Sequence, residues 1–91
     1  DEYSHLLGAG VVSCGQWTRE RQSDPMPISQ WALGYLSGFA QGSGFDIIGR
    51  ADAYGLLGWV DNYCATHPLD PVVSTALLAL INELLRKREV R

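Results

Sequence analysis

Apolar residues recur at intervals of three and four along most of this chain, which is the spacing of helices that are buried on one face. The pattern predicts four helices and no convincing strand. Their approximate bounds are 13–22, 27–42, 51–66 and from 70 onward. We therefore expect an all-α domain in which a short N-terminal arm, 1–12, precedes a helical core, 13–88.

Capping residues and prolines predict where these helices begin and end. Ser13 suits the N-cap of the first helix, which Pro25 and Pro27 are expected to stop, with Pro27 opening the second helix. The last helix has the clearest start, because Asp70 is placed as an N-cap and Pro71 as the first helical residue. Its predicted buried face comprises Val73, Ala76, Leu77, Leu80, Ile81 and Leu84.

The second predicted helix carries glycines at a spacing of four, Gly34, Gly38 and Gly42. Each glycine weakens a helix by about 1 kcal/mol relative to alanine, which is tolerated where another backbone or an aromatic ring comes close. We expect close packing inside the fold at this face, and a homodimer seam as the alternative.

A linker at 41–52, rich in Gly and Ser, separates the second and third predicted helices and contains a short apolar group. We interpret Phe45, Ile47 and Ile48, with Tyr54 in the third helix, as an apolar patch that contacts a protein partner. The alternative is that these side chains fill the core with the other aromatic residues.

Composition and charge narrow the class of protein. With 91 residues the chain is one domain, and 46% apolar and 19% charged residues are ordinary for a globular fold. A net charge of −3 opposes binding to a phosphate backbone, so we expect no nucleic-acid partner. The cations that crowd the C-terminus suit the end of a helix, where the macrodipole favours them. They are Arg86, Lys87, Arg88 and Arg91.

No stretch of the chain is apolar enough to predict a membrane span, since the longest run, 76–81, is far short of the roughly 20 residues required. The opening residues, 1–3, lack the basic and apolar regions of a signal peptide. If the chain carries a disulfide, we expect a mature protein from which a leader has been removed.

Cys14 and Cys64 are the only cysteines, and an even number in a short chain favours one disulfide and an oxidising compartment. The bond would close a loop worth about 4 kcal/mol in the chain-entropy model. Two free core thiols, or a metal site completed by His5 and His67, are the alternatives. Neither cysteine belongs to the closely spaced pairs typical of zinc modules, so we expect no metal and no cofactor.

No constellation predicts catalysis. His67 precedes Pro68 and is expected at a helix end rather than as a general base. Asp61 is expected to be solvated, with a buried hydrogen bond to Arg19 or Arg21 of the first helix as the alternative. The serines lack a nucleophile elbow, and no glycine-rich loop cradles phosphate, so we expect a protein that is not an enzyme.

The order of motifs resembles the HdeA/HdeB-like group of small bacterial periplasmic proteins. An early helix carries Cys14, the pattern Gly-Tyr-x-x-Gly stands at 34–38, and Tyr63 and Cys64 precede a proline. The resemblance covers roughly 13–85 and extends to other small exported proteins, including Tai-like immunity proteins. It implies a helical periplasmic or secreted domain with Cys14 bonded to Cys64.

Three functions remain open. The first is a protein-binding module, in its finer form an acid-stress chaperone whose apolar patch meets an unfolded client. The second is an immunity-type inhibitor that plugs the cleft of a secreted cell-wall hydrolase with a rim of Asp46, Arg50 and Asp61. The third is a small metal protein or enzyme built on His67 and the cysteines.

Overall fold

The structure, a computed structural model, describes residues 12–49, 51–71 and 73–90, with side chains as far as 87. Within these residues the chain forms four α-helices and no strand, so the all-α prediction is confirmed. The predicted arm lies outside the described residues apart from Val12. The helices are α1 (Cys14–Ser23), α2 (Pro25–Ser43), α3 (Ala53–Thr66) and α4 (Ser74–Val90).

A single residue, Asp24, separates α1 from α2. Its backbone N–H donates to the Glu20 carbonyl at 2.9 Å and closes α1. The second helix then begins at Pro25, two residues earlier than predicted, so Pro27 lies within its first turn. Neither proline removes a helical hydrogen bond there, because the first N–H groups of a helix have no acceptor within it.

The glycines of α2 face away from the other helices. Gly34, Gly38 and Gly42 are exposed, and no other part of the described chain lies within 4 Å of the position that a Cβ would take at any of them. The prediction of close internal packing at this face is therefore wrong. The buried side of α2 is the opposite one, formed by Ile28, Ser29, Ala32 and Leu36.

The connection from α2 to α3 starts at Gly44, whose φ of +81° is the left-handed conformation that glycine adopts without strain. It turns inward to Ile47, which is 3% exposed. Asp52 then caps α3 by accepting the Gly55 N–H at 2.8 Å, so the helix begins at Ala53, two residues later than predicted.

The connection from α3 to α4 is held against the start of α1 by two backbone hydrogen bonds. The Cys14 N–H donates to the Asp70 carbonyl at 3.0 Å, and the Val73 N–H donates to the Val12 carbonyl at 2.7 Å. The Asp70 carbonyl, which an N-cap residue would offer to the first turn, is bonded to Cys14 instead, and α4 begins only at Ser74. The prediction that Asp70 caps α4, and that the proline after it opens the helix, is wrong.

The core lies where the helices meet. The first helix packs against α2 and α3, and α4 packs against α2 and α3. The large side chains buried there almost completely are Trp17, Ile28, Leu36, Val60, Val73, Leu77 and Leu80. None of the helices in the described part of the chain is long and apolar enough to cross a bilayer.

Candidate functional site

Cys14 and Cys64 form a disulfide that ties the start of α1 to the end of α3. Their Cα atoms lie 4.9 Å apart, and both residues are buried in the core. The predicted pairing is confirmed, and since each sulfur is bonded to the other, neither is a free thiol or a thiolate ligand. Within the described residues, no group of three or more His, Cys, Asp or Glu could hold a metal ion. His5 lies outside them.

Asp61 joins three helices close to this disulfide. The Trp17 indole N–H donates to its Oδ1 at 2.8 Å, while Arg21 donates from Nε to Oδ1 at 2.9 Å and from Nη2 to Oδ2 at 2.8 Å. The Nη1 group of the same arginine donates to the Ser29 hydroxyl of α2 at 3.0 Å. The expectation of a solvated Asp61 is wrong, and the alternative of a bond to α1 is confirmed with Arg21 as the partner.

The charge of Asp61 is stabilised by these partners. Partial burial by itself would raise the pKa of Asp61, but the hydrogen bonds from Arg21 and Trp17 and the positive charge of Arg21 outweigh it and hold that pKa below its usual value. The same hydrogen bond raises the pKa of Arg21. The pair therefore stays ionised at neutral pH and links α1, α2 and α3.

The predicted apolar patch is smaller than expected. Phe45 is 47% exposed and Tyr54 is 87% exposed, and Ile48 between them in sequence is half-buried. Ile47 points into the core and is corrected out of the patch, because the connection turns inward at that residue. We call the remaining three residues, Phe45, Ile48 and Tyr54, the connection patch.

Two of the three residues predicted to form the rim of an inhibitor, Asp46 and Asp61, make contacts within the fold. Asp46 accepts the Gly49 N–H at 2.9 Å and thereby stabilises its own loop. Asp61 is held by Arg21, and Arg50 lies outside the described residues. Each of these two carboxylates has a contact within the fold, while Asp46 is exposed and the Asp61 side chain is 37% exposed.

A row of stacked rings runs along α3, which the sequence analysis did not identify. Trp59 lies nearly parallel to Tyr63, with ring centroids 5.8 Å apart, and Tyr63 stacks on His67 at 4.0 Å. The signal was present in the sequence, since positions 59, 63 and 67 are four residues apart and share one helical face. We call these three residues the aromatic row.

His67 ends α3 and fixes the last ring of this row. Its Nδ1 lies 2.8 Å from the Tyr63 carbonyl oxygen, which only accepts, so we assign the proton to Nδ1. Its backbone N–H donates to the Cys64 carbonyl. This histidine therefore closes a helix, as expected from the sequence.

Beside the aromatic row lies a surface pocket of about 340 Å³, lined by Trp59, Asn62, Tyr63 and Thr66. The lining side chains carry no charge at neutral pH. Burial first, and then the carboxylate of Asp70 that accepts from the Tyr63 hydroxyl, raise the pKa of Tyr63, so its phenol stays protonated.

Comparison of the chain with protein-family models, with curated proteins and with solved structures gives no match. The likeness to the HdeA/HdeB-like proteins thus depends on the short motifs around Cys14, Gly34 and Cys64.

Proposed function

We propose that this chain is a non-enzymatic, protein-binding domain that works in an oxidising compartment, the bacterial periplasm or the cell exterior. The observation that carries the binding role is the exposure of Phe45 and Tyr54 at the connection between α2 and α3. Aromatic side chains bring large contact areas at a small loss of conformational entropy, and tyrosine is enriched among the residues that dominate protein interfaces.

The chemistry of the disulfide supports the proposed compartment. Small domains with limited cores use such bonds where the surroundings are oxidising, whereas cytosolic thiols are kept reduced. The Cys14–Cys64 bond is buried, so it acts as a structural tie rather than as a redox site. This supports export of the protein, in agreement with the resemblance to periplasmic proteins.

The Asp61–Arg21 ion pair supports the finer proposal, a chaperone-like role under acid stress, because Asp61 must be ionised to pair with Arg21. Protonating Asp61 removes the charge that holds Arg21, and with it one tie between α1 and α3. Loosening α1, whose start stays bonded to α3 through Cys14, would expose core side chains such as Trp17 in addition to the connection patch. An unfolding client with exposed apolar segments would bind to such a surface.

The binding surface is tested by site-specific cross-linking. A photo-reactive phenylalanine analogue is placed at Tyr54, and a matched analogue at Leu69, which is 92% exposed but lies on the connection between α3 and α4. We expect a defined cross-linked protein from position 54 and none from position 69. Equal labelling from both positions would contradict a specific surface, and a hydrolase as the captured protein would favour the inhibitor function instead.

The chaperone role is tested by light scattering of a client that aggregates on acidification to about pH 2–3. We expect the protein to suppress scattering at that pH and to have little effect at neutral pH. The double variant Phe45→Ser/Tyr54→Ser should suppress less, whereas Leu69→Ser should match the unaltered protein. Scattering that the protein leaves unchanged would reject the chaperone role while leaving the cross-linking result to decide on protein binding.

A further inference from the structure

The described lining of the pocket beside the aromatic row lies on one face of α3. These lining residues stand at positions 59, 62, 63 and 66, which are neighbours on a helical surface. The pocket is an open surface depression of about 340 Å³, which would contact one face of a ligand rather than enclose it. Because the lining residues lie in one regular helix, their relative positions are fixed by the backbone.

The rings of the pocket are ordered before any ligand arrives. Tyr63 is stacked on His67 at an interplanar angle of 6°, and Trp59 follows at 17° to Tyr63. Trp59 and Tyr63 also pack against the core, which restricts their rotamers further. A ligand that binds here loses less free energy to side-chain ordering than it would at mobile side chains.

The polar groups of the pocket are only partly used by the protein. The Thr66 hydroxyl is engaged by the Asn62 and Tyr63 carbonyls and by His67 Nδ1. In the part of the chain that the structure describes, neither the side-chain amide of Asn62 nor the indole N–H of Trp59 has a hydrogen-bond partner. The pocket thus offers two kinds of donor and one amide acceptor beside an aromatic ring.

We propose that this pocket binds one pyranose ring of a neutral glycan. The C–H face of such a ring carries a slight positive potential and packs on the negative face of an aromatic ring such as Trp59. Its hydroxyl groups both donate and accept, so one sugar satisfies the Asn62 amide and the indole N–H together. Neutrality fits as well, since the described lining side chains carry no charge and the neighbouring Asp70 carboxylate already accepts from the Tyr63 hydroxyl.

A proline-rich peptide is the competing occupant, and the hydrogen-bonding groups disfavour it. Proline rings also pack on tryptophan, and their carbonyls accept from an indole N–H. Proline has no backbone N–H, however, so such a segment leaves the Asn62 carbonyl oxygen without a donor. The sugar binding proposed here is independent of the connection patch and of the protein-binding role.

The first test is a titration of the ¹⁵N-labelled protein with cellotriose and with chitotriose, followed by NMR. The three indole N–H signals are separate reporters: Trp59 in the pocket, Trp17 in the core and Trp31 on α2. We expect saturable shifts of the Trp59 indole and the Asn62 amide at dissociation constants on the order of 1 mM, typical of a single weak site. The Trp17 and Trp31 signals should remain in place.

The second test uses matched variants. Asn62 and Asn82 are both exposed residues of helices, but only Asn62 lines the pocket. Asn62→Ala should weaken binding about fivefold to tenfold, as loss of one hydrogen bond does, and Asn82→Ala should leave it unchanged. Trp59→Phe keeps an aromatic ring without the N–H and should weaken binding similarly.

Three outcomes would overturn the proposal. They are the absence of any Trp59 shift with either sugar, an equal loss of binding in the Asn62 and Asn82 variants, and a Trp59 shift caused by a hexaproline peptide but by neither sugar. The last of these would assign the pocket to a proline-rich partner. Each variant retains the Cys14–Cys64 disulfide, and its fold is verified by circular dichroism before titration.

Discussion

The hydrogen bond from Trp17 to Asp61 lies one helical turn from the disulfide on both helices that the bond joins. Trp17 follows Cys14 by three residues on α1, and Asp61 precedes Cys64 by three residues on α3. The two helices therefore run antiparallel at this contact, with a covalent tie and a polar tie side by side. Arg21, one turn further along α1, binds the same carboxylate and extends the contact to α2.

Replacing Asp61 with asparagine should destabilise the fold. The variant loses the ionic part of the Arg21 contact but retains a carbonyl that accepts from Trp17. We expect a loss of about 1–2 kcal/mol in the free energy of unfolding, because the carboxylate is 37% exposed and solvent weakens the pair relative to a buried one. Urea denaturation followed by tryptophan fluorescence measures this loss.

Asp24→Asn is the matched control for that experiment. Asp24 is likewise an aspartate, placed at the end of α1, but its side chain makes no capping hydrogen bond. Its substitution should alter the unfolding free energy by less than about 0.5 kcal/mol, as at most surface positions. An equal effect of the two substitutions would show that general charge, rather than the Arg21 contact, sets the stability.

The stability of the protein should fall in acid partly through Asp61. The folded state lowers the pKa of Asp61 below its usual 3.8. At acidic pH, Asp61 therefore binds fewer protons in the folded state than in the unfolded state. The stabilisation is therefore complete above the usual pKa and is lost as the pH falls through the lower, folded value. The difference in urea midpoint between the unaltered protein and Asp61→Asn should shrink as the pH falls from about 5 to 2.

A difference that stays constant over this range would show that the Asp61 charge does not contribute to acid sensitivity. The other nine of the ten Asp and Glu residues titrate in both proteins, so comparing the two removes most of their effect. This comparison also bears on the proposed acid-dependent function, because it isolates the ion pair from the general rise in positive charge.

The sequence was sufficient for the helices but less so for what connects them. Periodicity placed all four, and the even number of cysteines in a short chain favoured the bond between Cys14 and Cys64. The start of α4 was wrong because Asp70 gives its carbonyl to Cys14, a residue 56 positions away in sequence that no local capping rule considers. Asp61 was judged solvated for the same reason, since its partners lie on another helix.

For the candidate site, too, the sequence predicted contacts within one helix better than contacts between distant parts of the chain. Ile47 was assigned to the surface from its place in a polar linker, yet the loop turns it into the core. The aromatic row could have been found, because Trp59, Tyr63 and the residue that caps α3, His67, follow one another at a spacing of four. Trp17 follows Cys14 by three residues, and Asp61 precedes Cys64 by three. If the disulfide joins two antiparallel helices, these positions lie side by side, so their contact could also have been predicted.

Removing the disulfide should cost a large part of the stability of the domain. The bond spans a sequence separation of 50, which corresponds to about 4 kcal/mol in the chain-entropy model, against a net stability of about 5–15 kcal/mol for typical domains. We expect the double variant Cys14→Ala/Cys64→Ala to lose about 3–4 kcal/mol and to unfold at much lower urea. Its midpoint should not respond to a reductant, whereas that of the unaltered protein should fall when reduced. Identical midpoints for the oxidised and reduced protein would contradict a stabilising bond.

Alanine at the exposed glycines of α2 should stabilise the protein. Gly34 and Gly38 lie in regular helix with open space at the Cβ position, so either substitution should add about 0.5–1 kcal/mol by limiting the unfolded chain. Gly44→Ala is the contrasting control, because its φ of +81° strains any residue with a Cβ and should cost about 1 kcal/mol or more.

A loss of stability in Gly34→Ala would mean that the glycine face of α2 is covered in solution. No other described part of this chain approaches that face, so the first covering surface to test is a second copy of the protein. Sedimentation at two protein concentrations then decides whether a second copy covers it. If the mass of the unaltered protein rises with concentration while Gly34→Ala remains a monomer, the homodimer seam is established. The stabilisation that we expect for Gly34→Ala would instead indicate that no partner covers this face.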